Sequence, residues 1–365
     1  EERMQKTLRV TCGDAVALIW GLIVRTGIAL DQSAKEPAQA QTSPAGPPGG
    51  VTPLPLVDPS APKKHVLVLG FTSGWHHGST TDGEVMFWEL GKESGLWDTE
   101  IRTDTKWLTK GYTGAGDNRN LNWFDAIVAV NTTGTWPLTD EQKKDFISAI
   151  HDDGKGFVGA HAALDANHNG VWPEFTDMVG GEFANHPWLT FAAPVIIEDP
   201  TFPAMRHFAS THLVMYDEMY VPRSSTWSRD KVNVLMRMDE TKLPAKTGSQ
   251  EPFASQSAVA SQAAGDVSAA QVQAYRDAQQ AAAAANAGRG RGGPGRGNFD
   301  NGVHADQDYA ITWAKMYGNG RVFYSSLGHD REQYSNPDVR KMYLEAVKWA
   351  LKLEDGSTQT HPKRN

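Results

Sequence analysis

Four short runs that are apolar on both faces constrain this chain more than any other feature. They are residues 65–71 (HVLVLGF), 124–131 (FDAIVAVN), 156–160 (GFVGA) and 321–326 (RVFYSS). A strand with one solvated face alternates polar and apolar side chains, so a strand that is apolar throughout belongs in a sheet covered on both sides. Helical stretches separate the runs. Residues 81–93 follow the first. Residues 139–152 open on Thr139-Asp140-Glu141-Gln142, a capping-box pattern, and set Phe146, Ile147 and Ile150 on one face. Residues 337–353 make a last amphipathic helix, with Val339, Met342, Val347, Trp349 and Leu351 on or near its buried side. Strand alternating with helix predicts an α/β fold: three layers around a doubly wound, mainly parallel sheet.

Biased composition marks what lies outside that pattern. Residues 37–62 carry eight prolines among small residues, and residues 41–62 are expected to act as a Pro-rich linker. Residues 245–302 combine an Ala/Gln-rich part with Gly-Arg repeats and are expected to form a disordered, solvated insertion. What remains, residues 63–244 and 303–355, is enough for one domain, with 356–365 as a tail. At the start, Lys6 and Arg9 precede an uncharged run over 15–24, and Ala38-Gln39-Ala40 offers a small-x-small cleavage site. Residues 1–40 therefore read as an export signal, with a retained N-terminal anchor as the rival. The run is too short to span a bilayer. A periplasmic or secreted protein with no membrane span in its mature form is expected, and a membrane-anchored one is the alternative.

Charge and cysteine content narrow the chemistry. With 35 Lys+Arg against 43 Asp+Glu the formal charge is −8, which argues against nucleic acid as a partner; Arg289, Arg291 and Arg296 make too weak a basic footprint to change that. The single cysteine, Cys12, lies in the proposed signal, so neither an internal disulfide nor a Cys-based zinc site is available.

Polar residues cluster where a doubly wound sheet binds ligands, beyond the carboxyl ends of its strands. Thr72-Ser73-Gly74-Trp75-His76-His77 follows the first strand and Asn131-Thr132-Thr133 the second; His161 follows the third and Leu327-Gly328-His329 the fourth.

Several motifs in order resemble the ThuA-like (trehalose utilisation) domain family. They are Gly74-Trp75-His76-His77-Gly78-Ser79, the run from Gly156 through His161 to Ala163, and Trp172 through Gly180-Gly181-Glu182-Phe183 to His186-Pro187. Asp217-Glu218-Met219-Tyr220, Val234-Leu235 with Asp239-Glu240, and the run from Tyr317 to His329 complete the set. The resemblance implies a class I glutamine-amidotransferase-like, flavodoxin-like fold and a role in carbohydrate metabolism, often beside enzymes of oxidised (3-keto) disaccharides. Amidotransferases carry a nucleophilic Cys at a tight strand-to-helix turn; here that turn reads Val158-Gly159-Ala160-His161-Ala162, which excludes glutamine hydrolysis through a thioester. Many relatives have His-Pro where this chain has Tyr309-Ala310.

The histidines at the strand exits suit acid–base work, metal ligation or hydrogen bonding to a sugar. His161, His77, His329 and Glu218 are the candidate catalytic residues. His77, His161 and His329 are also candidate ligands for a divalent metal, zinc or similar, with His186 and Glu218 as further donors; the alternative is a hydrogen-bonded polar cleft without metal. No nucleotide cofactor is expected. Asp217 and Glu218 are neighbours on a strand and face opposite ways, so only one can enter the cleft, which disfavours a two-carboxylate glycosidase completed by Asp165 or Asp330 and favours a single buried carboxylate bonded to loop backbone. Trp75, Ser73, Asn131, Trp172, His186 and Arg223 are the candidate substrate-binding residues, indoles stacking on pyranose faces and polar groups binding hydroxyls. Of the five loop-flanking tryptophans, Trp75, Trp136, Trp172, Trp188 and Trp313, no more than two are expected at a ligand, because aromatic rings also fill α/β cores. The leading expectation is an enzyme acting on an oxidised mono- or disaccharide by hydrolysis, elimination or isomerisation. A non-catalytic sugar-binding module of the bacterial cell envelope is the rival, and a structural component of an envelope complex is a third reading.

Overall fold

Alternating side chains along β1 (Lys64–Leu69) divide the hydrophobic core in two. Val66 and Val68 point to one face and Leu67 and Leu69 to the other, all buried. The same division holds in β3 (Ala126–Val130), β4 (Gly156–Ala160) and β11 (Gly320–Ser325). On the first face lie α1 (Thr80–Ser94) and α5 (Pro337–Ala350), which contribute Met86, Phe87 and Leu90, and Val339 and Met342. On the second lie α2 (Asp140–His151) and α3 (Pro173–Val179), which contribute Phe146, Ala149 and Ile150, and Phe175 and Met178. These are the three layers that the apolar runs require. The computed structural model describes residues 62–114, 119–244, 304 and 306–364. The proposed signal or anchor, nearly all of the linker and the 245–302 insertion lie outside the described residues. Among the described residues no helix is long and apolar enough to cross a membrane.

The main sheet has nine strands in the order β2-β1-β3-β4-β11-β10-β9-β6-β7. From β2 (Trp97–Arg102) to β11 all neighbours are parallel, and these include the four apolar runs. The sheet continues antiparallel through β10 (Ala310–Tyr317), β9 (Asn233–Met238), β6 (Thr190–Ile197) and β7 (His212–Glu218). A short ribbon of β5 (Phe183–Asn185) and β8 (Val221–Pro222) stands apart.

One detail of register positions the site. β6 pairs with β9 through Val195–Ile197, whereas it pairs with β7 from Thr190 onward. The first half of β6 therefore runs past the end of β9 with β7 as its partner, and this overhang carries Asp217 and Glu218 back to the exit of β11.

Local signals explain the element ends. The Thr139 hydroxyl accepts from Gln142 N–H at 3.2 Å while the Gln142 side chain accepts from Thr139 N–H at 3.1 Å, closing the capping box of α2. Asn336 caps α5 before Pro337 at the first helical position, its Oδ1 accepting from Asp338 N–H at 2.9 Å. Between them, α4 (Arg331–Ser335) is a single turn after His329. Residues 356–364, expected as a tail, lie against β9 and the end of β6: Asn233 donates to the Ser357 carbonyl at 2.9 Å and Arg364 donates to the Glu198 carbonyl, just after β6, at 3.0 Å.

Candidate metal centre

His161 follows β4 directly, and its φ of 46° puts it in the left-handed region, a strained position for a residue other than glycine. Two bonds hold it there. The Tyr324 hydroxyl donates to the His161 carbonyl at 2.9 Å, and the ring Nδ1 lies 2.7 Å from the Ser326 carbonyl. A carbonyl can only accept, so Nδ1 carries the proton and Nε2 presents its lone pair to the neighbouring loops.

His77, from the loop after β1, and His329, from the loop after β11, converge on that lone pair. The His329 Nδ1 lies 3.3 Å from His161 Nε2, and the His77 ring stands edge-on to the His161 and His329 rings at centroid separations of 4.9 and 5.2 Å. Glu218, at the end of the β7 overhang, completes the group: its Oε2 lies 3.0 Å from His329 Nδ1 and 3.8 Å from His161 Nε2. Each of the four residues offers a ligand atom within 4.8 Å of the others. Ligands about 2.0–2.2 Å from a tetrahedral zinc ion stand roughly 3.3–3.6 Å apart, so this donor set and spacing fit a divalent transition ion. An unsatisfied atom points the same way: His77 Nδ1 is buried without a hydrogen-bond partner.

Burial and charge set the protonation of the group. Burial, with the neighbouring imidazoles of His329 and His186 adding to it, pushes His77 down to about 4. Burial, then His77 and His329, hold His161 well below the ordinary histidine value. Burial opposes charge on Glu218 too, yet the hydrogen bond from His329 and the charges of His186 and His329 keep its carboxyl below the usual range. His329 is the counterpart: burial works against its charged form, but Glu218, with Asp217 and Asp330 behind it, raises it to about 9. Two neutral imidazoles thus stand beside one ion pair.

Asp217 faces away from Glu218, as neighbours on a strand must, and supports the site from behind. Its carboxylate accepts from the backbone N–H of Gly328 at 2.6 Å, Asp330 at 3.3 Å and His329 at 3.4 Å, fixing the loop that presents His329. Tyr220, in the same motif, donates its backbone N–H to Ser326 Oγ at 2.7 Å, and its hydroxyl lies 3.5 Å from His77 Nε2. Tyr220 does not stand out in sequence as part of the centre; its signal was its place two residues after Glu218.

The residues expected to bind substrate have different fates. His186 stands beside the centre, its Nδ1 3.3 Å from Glu218 Oε1. Trp75 is 71% exposed on the loop that carries His77, so its face is open to a ligand. Ser73 is also exposed, with its hydroxyl donating to the Thr135 carbonyl at 2.7 Å. Arg223 is tied to Glu182 at 2.6 Å and donates to Asn169. Asn131 is fully buried and its amide donates to Ser79 Oγ and the Gly328 carbonyl, so it braces loops. Trp172 is only 3% exposed and packs with Trp136, Phe146 and Phe175, which leaves it no face for a sugar. Trp136, Trp188 and Trp313 are buried as well. Tyr309 is a core residue packed edge-on to Trp188, and Ala310 begins β10.

The ThuA family model, described as trehalose utilisation, matches residues 65–350. This chain belongs to the ThuA family. Membership supports a role connected with carbohydrate. A solved ThuA-like protein from Bacteroides uniformis is similar over 84% of this chain and 95% of its own, at 19% identity and a TM-score of 0.52, a likeness of fold. Another, from Parabacteroides merdae, covers 81% of this chain and 92% of its own at 14% identity, with a TM-score of 0.45. No curated protein matches the chain.

Proposed function

We propose that this ThuA-family chain is a metal-dependent enzyme acting on an oxidised mono- or disaccharide. The observation that carries the reading is the convergence of His77, His161, His329 and Glu218, from four separate parts of the chain, into one set of ligand atoms, buried apart from a half-buried His329. Burying that many ionisable groups together costs stability, and such an expense is met at sites that do chemistry. A divalent ion held there would polarise a carbonyl or activate a water. Around it the chain supplies the rest. His161 and His77 are neutral and ready to ligate, Glu218 brings the negative charge, and Asp217 and Ser326 fix the supporting loops. The Tyr220 hydroxyl beside His77 can donate a hydrogen bond to an oxygen on which charge develops. Trp75 offers an apolar face for a pyranose ring.

The test is metal analysis of the purified full-length protein, followed by incubation of the metal-loaded form with 3-keto-glucosides and detection of products by mass spectrometry. Stoichiometric metal and turnover that is lost in His161→Ala while sugar affinity persists are expected. Sugar binding without turnover by the loaded protein would instead favour a non-catalytic sugar-binding module.

A further inference from the structure

We infer that His186 is a positioning residue for the candidate metal centre: it secures the outer oxygen of Glu218 so that the inner oxygen stays directed at the ion. This rests on reading His77, His161, His329 and Glu218 as the metal-binding set.

The two oxygens of Glu218 face different partners. Oε2 looks into the cluster, 3.0 Å from His329 Nδ1, whereas Oε1 lies 3.3 Å from His186 Nδ1 on the other side. A carboxylate that ligates through one oxygen can swing about its last torsion unless the second oxygen is held, and partners of that kind set ligand orientation in metal sites. His186 is placed to do this. Its ring lies nearly parallel to those of Phe183 and Tyr220, at 5.7 and 5.9 Å with interplanar angles of 27° and 23°. Its carbonyl accepts from Leu189 N–H at 3.0 Å, and Pro187 biases its backbone to an extended conformation.

The approach to Glu218 is close without being an aligned hydrogen bond, and Nδ1 is buried with no other hydrogen-bond partner. Turning it onto Oε1 as the carboxylate takes up an ion therefore satisfies an open donor and breaks nothing. His186 also belongs to the β5–β6 connection, which carries none of the four ligands, so it can be changed without removing a donor from the ion.

Zinc affinity, measured by competition with a chromophoric chelator, tests the assignment on the full chain, with melting of the metal-free protein as control. Wild type is expected to bind one zinc per chain. His186→Ala should bind it roughly 10- to 100-fold more weakly, while the metal-free melting temperature stays at the wild-type value. His186→Asn, which keeps an N–H near the position of Nδ1, should recover most of the affinity. If wild type binds no zinc, the metal reading of the centre itself fails. If wild type binds and His186→Ala binds equally well, or if His186→Asn binds no better than His186→Ala, the positioning role alone is overturned. A metal-free melting temperature lowered in both variants would likewise overturn it, by making His186 a packing residue.

Discussion

Asp217 shows how a single buried side chain can govern a loop. Its carboxylate is fully buried and accepts three consecutive backbone N–H groups, those of Gly328, His329 and Asp330. Asp217→Ala would leave those donors buried and unpaired, at a cost on the order of 3 kcal/mol; denaturant unfolding should register it as a lower midpoint with an unchanged slope. A second pair lies away from the proposed ligands. His168 Nδ1 stands 2.8 Å from Asp165 Oδ1, and the hydrogen bond to Asp165, partly offset by burial, raises the His168 pKa above its ordinary 6.5. The charged form is thus the one favoured by folding. Its contribution is complete below the unfolded value of 6.5 and is lost as pH rises through the higher folded value. Because His329 is raised as well, wild type and His168→Gln should both lose stability as pH climbs above 6.5, and the loss should be smaller in His168→Gln, a comparison made by urea titrations across pH. The histidines at the strand exits were legible as candidates because parallel strands deliver their carboxyl ends to one edge. The braces Ser326 and Tyr324 were not, since each bonds His161 from 165 and 163 positions away in the chain.

At the level of elements, periodicity and capping chemistry located α1, α2 and α5 and the four apolar strands because those signals act within a few residues. The capping box of α2 is a case that can be measured: Thr139→Ala removes the acceptor for Gln142 N–H and should cost about 1 kcal/mol in denaturant unfolding, with no change in zinc affinity. The antiparallel half was less legible. Pro194 breaks the strand-forming pattern of the sequence within β6, and β7 mixes exposed, half-buried and buried residues without a clean apolar run. Their pairing depends on partners far away in the chain, as β9 with β10 does across the 245–302 insertion. Trp172 illustrates the same limit at smaller range. An aromatic residue before a helix can equally serve a ligand or a core, and only the docking of α3 against α2 assigns it to the cluster around Phe146.

For the molecule as a whole, the last described residues are part of the fold. Arg237, buried in β9, pairs with Glu198 at 2.8 Å and donates to the Arg364 carbonyl at 3.0 Å, while Asn233 and Arg364 bind across the same seam. Removing residues 356–365 would strip partners from buried charged groups, so a fall in melting temperature of roughly 5–10 °C is expected by calorimetry. By itself the sequence determined the layered α/β architecture and the edge at which polar loops gather, because hydrophobic period and strand direction are local properties of the chain. Tertiary structure alone decided which loop residues meet. Glu218 reaches the three histidines only because β6 pairs with β9 out of step with β7, and such a register is set by packing between segments that the primary order keeps apart.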